Sequence, residues 1–438
     1  MTARGVIVSA PRSNAGKTTV TLGLLAALAR RGVGVRAAKS GPDYIDTAFH
    51  AAATGAPGIN LDTWAMPPSM IDGLVSDAAR NAEVLVIEGA MGLFDGVPVQ
   101  PGRTGATSDL AEHLGLPVLL VLDVSGQSQS AAAVVAGFAG FKPSVTIGGV
   151  VLNRLGSERH RALITEALAP LNIPVLGNIL RDELLALPER HLGLVQAREH
   201  GDLQTRLDRL ADMAERSLDI SGILAMARPL VHRDASNRST LRPPGQRIAL
   251  AMDDAFAFAY AHVLDGWRSA GAEIFFFSPL ADEAPPGDCD VCWLPGGYPE
   301  LHAARLSAAR RFQTGIAAFA QTRPVHGECG GYMVLGQGLE DSAGGRHGMT
   351  GLLGHATSFA KPKLHLGYRR ARLLADGPVG SAGDVVLGHE FHHASLMTEG
   401  VDESFVEVTD AQGKSMAEKG GRRGRVTGTF FHAIAREI

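Results

Sequence analysis

The chain has 438 residues, 45% of them hydrophobic and 20% charged, with a formal net charge of −4. That length calls for two or three domains, and the composition is that of an ordinary globular protein. No run of like charge marks an arm for nucleic acid, and no apolar run approaches the roughly 20 residues that span a bilayer, so neither nucleic acid nor membrane is an expected partner.

The N-terminus enters Gly5-Val-Ile-Val-Ser directly, without the basic and apolar regions of a signal peptide. Three cysteines cannot build a disulfide framework, and a reactive thiol needs a reducing compartment, which predicts a cytoplasmic protein. Through residue 225 short β-branched runs alternate with Ala/Leu-rich stretches. Val6-Ile-Val, Val84–Glu88, Val118–Asp123, Gly148–Asn153 and Ile173–Gly177 read as buried parallel strands, with a helix from Thr18 to Arg31 among the connections. The alternation predicts an α/β domain with a doubly wound, mostly parallel sheet over residues 1–225, with binding residues at the carboxyl ends of its strands. Residues 226–246 turn polar and rich in Pro, Gly and Ser, as a linker does. A second α/β alternation fills residues 247–438, through Arg247–Met252, Glu273–Ser278, Val291–Pro295 and Pro324–Gly327.

After the first strand stands Ser9-Ala-Pro-Arg-Ser13-Asn14-Ala15-Gly16-Lys17-Thr18-Thr19, a phosphate-binding loop in which Pro11 occupies the place of the usual first glycine. Gly16 lets the backbone approach a phosphate, Lys17 supplies charge, Thr18 can ligate Mg²⁺, and the helix start offers its N–H groups to the anion. Asp43, Tyr44 and Asp46 follow a second strand, and Glu88 and Asp95 bracket a glycine-rich turn after another. Acids at strand ends suit a Mg²⁺ that keeps several waters, although each alone also reads as a turn or cap residue. Asn153-Arg154 end a further strand, where the amide can meet an adenine.

In the second half Gly327-Glu328-Cys329-Gly330-Gly331 follows a strand and forms a nucleophile elbow with sulfur in place of hydroxyl. The Gly330 N–H and that of Gly297, in Pro295-Gly-Gly-Tyr-Pro-Glu300, are candidate oxyanion donors. The helix start after Cys329 is expected to lower its thiol pKa, and His432 is the candidate base. Cys289-Asp-Val-Cys292 is incomplete as a zinc site and reads as packing. His389-Glu390-Phe-His-His393 matches a zinc-protease spacing formally, but that spacing needs a helix. The preceding Asp384-Val-Val-Leu-Gly reads as strand, which holds His389 and His393 about 13 Å apart.

In order, Ser-Asn-Ala-Gly-Lys-Thr-Thr, Gly41-Pro-Asp-Tyr-Ile-Asp, Glu88-Gly-Ala-Met-Gly-Leu-Phe-Asp-Gly, Leu-Pro-Gly-Gly-Tyr-Pro-Glu, Gly-Glu-Cys-Gly-Gly-Tyr-Met and Gly388-His-Glu-Phe-His-His resemble the cobyrinic or hydrogenobyrinic acid a,c-diamide synthases nearly end to end. The resemblance implies a dethiobiotin-synthetase-like half that binds ATP and a corrinoid, and a class I, triad-type glutamine amidotransferase half. It implies nucleotide contacts from Ser13 to Thr19 and from Asn153 and Arg154, and Mg²⁺ ligands in Thr18, Asp43 and Glu88. Tyr44, Asp46 and Asp95 would lie near the corrinoid carboxylate, with Cys329 as nucleophile and His432 as its activator. L-glutamine, ATP and hydrogenobyrinic or cobyrinic acid are the implied substrates.

The family's triad enzymes commonly carry a glutamate two residues after the histidine, whereas Ile434 stands here, which leaves the third triad member open. Thr47 replaces a proline often found after Tyr-Ile-Asp. The implied chemistry is phosphorylation of an acetate carboxylate to an acyl phosphate, captured by ammonia that Cys329 frees from glutamine. Ammonia must escape protonation, so an enclosed path between the domains is expected, and exposed pairing between α/β domains suits a homodimer. Rival readings are a sister amidotransferase, such as cobyric acid synthase or the enzyme amidating nickel-sirohydrochlorin, and a partition-type P-loop switch with a decayed amidotransferase half. The preference for Arg over Lys, with abundant Ala and Gly, suggests a GC-rich genome and leans towards the cobalt-free, hydrogenobyrinic substrate.

Overall fold

A computed structural model describes residues 3–80, 82–185, 189–190, 193–231 and 241–437. The chain divides into two compact units, Met1–Arg238 and Ser239–Ile438. The middle of the polar stretch read as a linker, 232–240, lies outside the described residues.

The first unit is built on strands β1 (Arg4–Ser9), β2 (Val35–Ser40), β3 (Ile59–Leu61), β4 (Val84–Glu88), β5 (Val118–Asp123), β6 (Ile147–Leu155) and β7 (Val175–Leu180). Their order is β3-β2-β4-β1-β5-β6-β7, all parallel. The last predicted strand is thus displaced two residues along the chain, and β3, only three residues long, carries too little pattern to be read. A short strand, Arg228–Pro229, pairs antiparallel with β1, so this sheet recruits residues past 225.

Helix α1 (Lys17–Arg30) follows β1 and buries residues all round its circumference, from Val20 to Leu28. It has two apolar faces to cover, one against the sheet and one against the amphipathic helix Leu203–Ser217, whose Leu207, Leu210, Ala211 and Ala214 share one buried stripe. Arg30–Asp212 and Arg31–Glu215 pair across the exposed rim of that contact. Helix α2 (Ile45–Thr54) follows β2. Because β1 lies between β4 and β5, and β4 between β1 and β2, the strand ends Ser9, Glu88 and Ser40 converge where the connections reverse direction. That is where an open α/β sheet leaves a crevice.

The second unit holds a sheet ordered 273–277, 247–251, 291–294, 325–328, 426–429, 421–423, parallel except for its last hairpin. Helix Arg310–Thr322 packs on it through Phe312, Ile316, Phe319 and Ala320, spaced as one helical face. A second, antiparallel sheet is ordered Val406–Asp410, His365–Leu373, Val385–His392, His432–Arg436. The plain α/β alternation expected for this half omits that sheet. Val385–His392 is largely buried and its start reads as strand in the sequence, whereas His365–Leu373 alternates exposed and buried positions and is rich in Arg, so no apolar run announces it. The chain leaves the parallel sheet at Thr429 and enters the antiparallel one at His432. Among the described residues no helix is long and apolar enough to cross a membrane.

Candidate active sites

The phosphate loop links β1 to α1 with its backbone already curled. Asn14 has φ 59° and Gly16 φ 93°, both left-handed, a run that turns successive N–H groups to one side. Gly16 also has no room for a side chain, since a Cβ there would lie 2.1 Å from Asn153 Nδ2. That same nitrogen donates to the Ala15 carbonyl at 2.9 Å. Half of the Asn153 amide, read from sequence as an adenine contact, is therefore committed to holding the loop. Arg154 Nη1 reaches the Asn14 carbonyl at 3.1 Å and Asp123 Oδ2 at 2.7 Å, and Arg12 Nη2 meets the same Asp123 oxygen at 2.8 Å. Ser13 and Asn14 stand exposed at the loop's tip, and Thr19 is half-buried in the first turn of α1.

Lys17 folds back over the loop, its Nζ 2.5 Å from the Met91 carbonyl and 3.3 Å from that of Arg12. Burial, helped by the charge of Lys39, lowers its pKa to about 8. Thr18 Oγ1 donates to Glu88 Oε1 at 2.6 Å. The fully buried Glu88 also takes Lys39 Nζ at 3.0 Å and His50 Nε2 at 2.7 Å. Burial alone would raise its pKa, yet Lys39, His50 and Thr18 outweigh it and hold the carboxyl well below the usual range. Lys39 also pairs with buried Asp46, whose pKa burial and Asp43 push up to about 7 against the pull of that lysine. Two carboxylates around one buried ammonium keep Lys39 charged despite desolvation.

Asp43 Oδ1 accepts the N–H groups of Ile45 and Asp46 at 2.8 and 2.9 Å, capping α2, and Tyr44 stands half-buried at that helix start. Asp95 Oδ2 caps the Gly92 N–H at 2.8 Å from an exposed position. The donor set for a divalent cation is hard and oxygen-only: the Thr18 hydroxyl and the Glu88 carboxylate side by side, with Asp43 close enough to act electrostatically on Lys39 and Asp46. It suits Mg²⁺ in kind and in charge.

In the second unit Cys329 ends the strand Val325–Glu328 with φ 47° and ψ −106°, a strained conformation for a side chain to hold, and begins a helix, Gly330–Leu335. Its N–H donates to the Thr429 carbonyl at 2.8 Å, tying the elbow to the neighbouring strand that runs on towards His432. Cys329 and His432 meet over Gly296: a Cβ there would lie 2.2 Å from His432 Cε1, 2.9 Å from its Nε2 and 3.3 Å from Cys329 Cβ. The two expected oxyanion donors are also together, the Gly297 nitrogen lying 3.0 Å from where a Cβ on Gly330 would stand.

One expectation is corrected. The Cys329 thiol is pushed well above its ordinary pKa by burial, with the Glu300 charge adding to the effect, and the hydrogen bond from the Gly330 N–H does not overcome this. A helix of six residues, starting in a buried site, is too weak an electrostatic source to prevail. Burial, then His389 and His392, lower His432 to about 3, so the imidazole rests neutral beside a neutral thiol.

The apparent zinc spacing dissolves in the strand Val385–His392. His389 lies in register with His432, while Glu390 bonds Arg369 and, at 2.8 Å, His392 Nε2. Among the described residues the one group with metal-ligand geometry is His365, Glu390 and His392, but the Glu390 oxygens are taken by these partners and the His392 ring stacks between His365 and Phe430. Cys289 and Cys292 are buried, unbridged core residues.

Residues 6–195 match the CobQ/CobB/MinD/ParA nucleotide binding domain, and residues 247–437 match the CobB/CobQ-like glutamine amidotransferase domain. A hydrogenobyrinate a,c-diamide synthase of Mesorhizobium japonicum is 61% identical over 436 residues, covering 100% of this chain and 99% of its own. Enzymes of the same name from Agrobacterium fabrum and Rhodobacter capsulatus are 59% and 51% identical, covering 100% and 99% of this chain and the same shares of their own. The chain belongs to the hydrogenobyrinate a,c-diamide synthase family.

Lys39, His50, Asp123 and Glu328 also belong to the two sites, although spacing does not single them out. His50 had a signal, since it stands four residues after Asp46 on the same helix face. Lys39 and Glu88 face each other only through strand register, which is invisible until β2 and β4 are paired.

Proposed function

We propose that this chain amidates the a and c acetate carboxylates of hydrogenobyrinic acid, using ATP and glutamine, in cobalamin biosynthesis. The observation that carries the reading is a cysteine elbow with His432 close beside it and a phosphate loop backed by Glu88, on one chain 61% identical, end to end, to an enzyme of that name.

At the first site the loop N–H groups and Lys17 hold the ATP phosphates, and Thr18 and Glu88 would hold Mg²⁺. The cation, when bound, neutralises charge on the transferring phosphoryl group. A nucleotide phosphate returns to Lys17 the charge that burial disfavours. The Lys39–Glu88–His50 network fixes the metal-binding carboxylate, so it need not reorganise as charge develops. Tyr44, Asp46 and Asp95 flank the place where the corrinoid acetate is phosphorylated; the carboxylate oxygen attacks the γ-phosphorus and ADP leaves.

At the second site His432 takes the Cys329 proton as sulfur attacks the glutamine carboxamide carbon. The Gly330 and Gly297 N–H groups receive the oxyanion, and the proton passes to the departing nitrogen. Water then cleaves the glutamyl thioester. Ammonia displaces phosphate from the acyl phosphate, forming the amide, and the cycle repeats on the second acetate. A thiol nucleophile needs a reducing compartment, which supports a cytoplasmic setting for this chemistry.

Cys329→Ser separates the halves. Glutamine-dependent amidation of hydrogenobyrinic acid, followed by mass spectrometry, should vanish while ammonium-dependent amidation persists. Loss of both activities in a folded variant would sink the two-site scheme. Single rather than double amidation, or preference for another tetrapyrrole, would favour a sister enzyme.

A further inference from the structure

Ile434 stands where a glutamate would complete a Cys-His-Glu triad; it is fully buried and its side chain has no proton acceptor. A carboxylate nevertheless reaches the imidazole from another direction. Glu328, the residue immediately before the nucleophile, lies buried at the end of the strand Val325–Glu328. Its Oε2 is 3.9 Å from His432 Nδ1, and its Oε1 accepts the N–H of Ala433, the residue after His432, at 2.8 Å. The Trp293 side chain donates a second hydrogen bond to it. The carboxylate is thus fixed by the strand that carries the base and by the strand beside the nucleophile. A cavity of about 20 Å³, lined in part by Trp293, Pro295, Glu328 and Ala433, adjoins it and is large enough for one water.

We propose that Glu328 is the positioning carboxylate of this triad, holding His432 in the tautomer that carries its proton on Nδ1 and turns the Nε2 lone pair towards Cys329. The inference rests on the glutamine-hydrolysing reading above. When His432 takes the thiol proton, the ion pair that forms with Glu328 offsets the cost of a buried imidazolium. Without that carboxylate either tautomer is open to the ring, and the one with a proton on Nε2 cannot accept from sulfur.

The groups around the pair leave few ways for pH to act. Burial pushes the Glu328 acid up to about 8. His432 and His389, both near 3, stay neutral at that pH, Glu390 is held at about 2 and stays ionised beside Arg369 and His392, and the Cys329 thiol, with Glu300 near it, titrates much higher. Only Glu418, capping the Phe430 N–H at 2.6 Å, is also pushed to about 8. Ionised Glu328 is the active form, so kcat/KM for glutamine should rise with pH towards about 8.

The test uses full-length Glu328→Gln, Glu328→Asp and Glu418→Gln, measuring glutamate release and ammonium-dependent amidation in the same preparations. Glu328→Gln keeps the acceptor for Ala433 but removes the charge. Its glutaminase kcat should fall on the order of 100-fold or more, with KM for glutamine within a few fold. The rise with pH should disappear, and ammonium-dependent amidation should be retained. Glu328→Asp should recover part of kcat, and Glu418→Gln should keep the pH dependence. A Glu328→Gln kcat within about threefold of wild type, or an unchanged pH profile in that variant, would overturn the assignment. If Glu328→Gln loses both activities, Glu328→Asp decides: a retained pH rise with reduced kcat supports the role, and an altered KM with unaltered kcat refutes it. Absence of glutamate release from the wild-type enzyme would instead strike the glutaminase reading itself.

Discussion

Lys39 and Glu88 lie directly opposite each other on β2 and β4, with the lysine Nζ 3.0 Å from Glu88 Oε1 and both side chains buried. Because Lys39 also neutralises Asp46, removing it leaves two buried carboxylates without their cation. Lys39→Met should therefore cost about 3–5 kcal/mol of stability, read as a lower denaturation midpoint at neutral pH. The sign with pH follows from Glu88, whose folded pKa lies below its ordinary value. Its stabilisation is present above the usual carboxylate range and is lost as pH falls through the lower folded value. The gap between wild type and variant should accordingly close in strong acid.

Gly296 separates two effects that a catalytic-residue substitution merges. A Cβ at this position would overlap the His432 ring while leaving both reacting groups chemically intact. Gly296→Ala should displace the imidazole and cut glutamine-dependent turnover on the order of 100-fold, since misplacement of about an ångström costs that much. Ammonium-dependent amidation in the same sample should change little. Equal loss in both assays would mean that the substitution damages the fold rather than the pairing.

Much of both sites was legible because it is local. The phosphate loop and the cysteine elbow are each one strand end, one turn and one helix start, so spacing alone announces them. What stayed hidden is what the sheets bring together. Asp43 and Asp95 read as acids that follow strands, but their hydrogen bonds to α2 and to Gly92 depend on turns whose dihedral angles no spacing reveals. The thiol pKa was misjudged because a helix start is written in the sequence, whereas the depth of burial that overrides it is set by two sheets meeting at residues 429–432. Glu328 was in plain view beside Cys329, yet its approach to Nδ1 needs the final strand in place.

Lys17 gives a prediction about ATP. In the nucleotide-free enzyme burial and Lys39 lower its pKa from 10.5 to about 8. The protonated form binds phosphate, so the sign is a loss on the alkaline side: kcat/KM for ATP, which reports the free enzyme, should fall as pH rises through about 8. Under saturating ATP the same limb should move to higher pH, because bound phosphate favours the charged amine. Lys17→Arg should remove the alkaline limb, since a guanidinium stays charged throughout. An unchanged limb in that variant would assign the loss to another group.

Asp123 ties the loop from outside, one oxygen accepting from both Arg12 and Arg154 while Arg154 reaches on to the Asn14 carbonyl. The arginine side chains are 62% and 43% exposed, so each pair contributes little to stability. Their consequence lies in the shape of the loop. Asp123→Ala should shift the denaturation midpoint by less than about 1 kcal/mol equivalent. It should also weaken ATP binding by roughly tenfold, through freedom returned to Arg12, Arg154 and the loop tip. Calorimetric titration with ATP and Mg²⁺ measures this directly, and the loss should appear as a less favourable entropy. A variant that binds ATP as tightly as wild type would show that Asn153 and Gly16 suffice to hold the loop without the arginines.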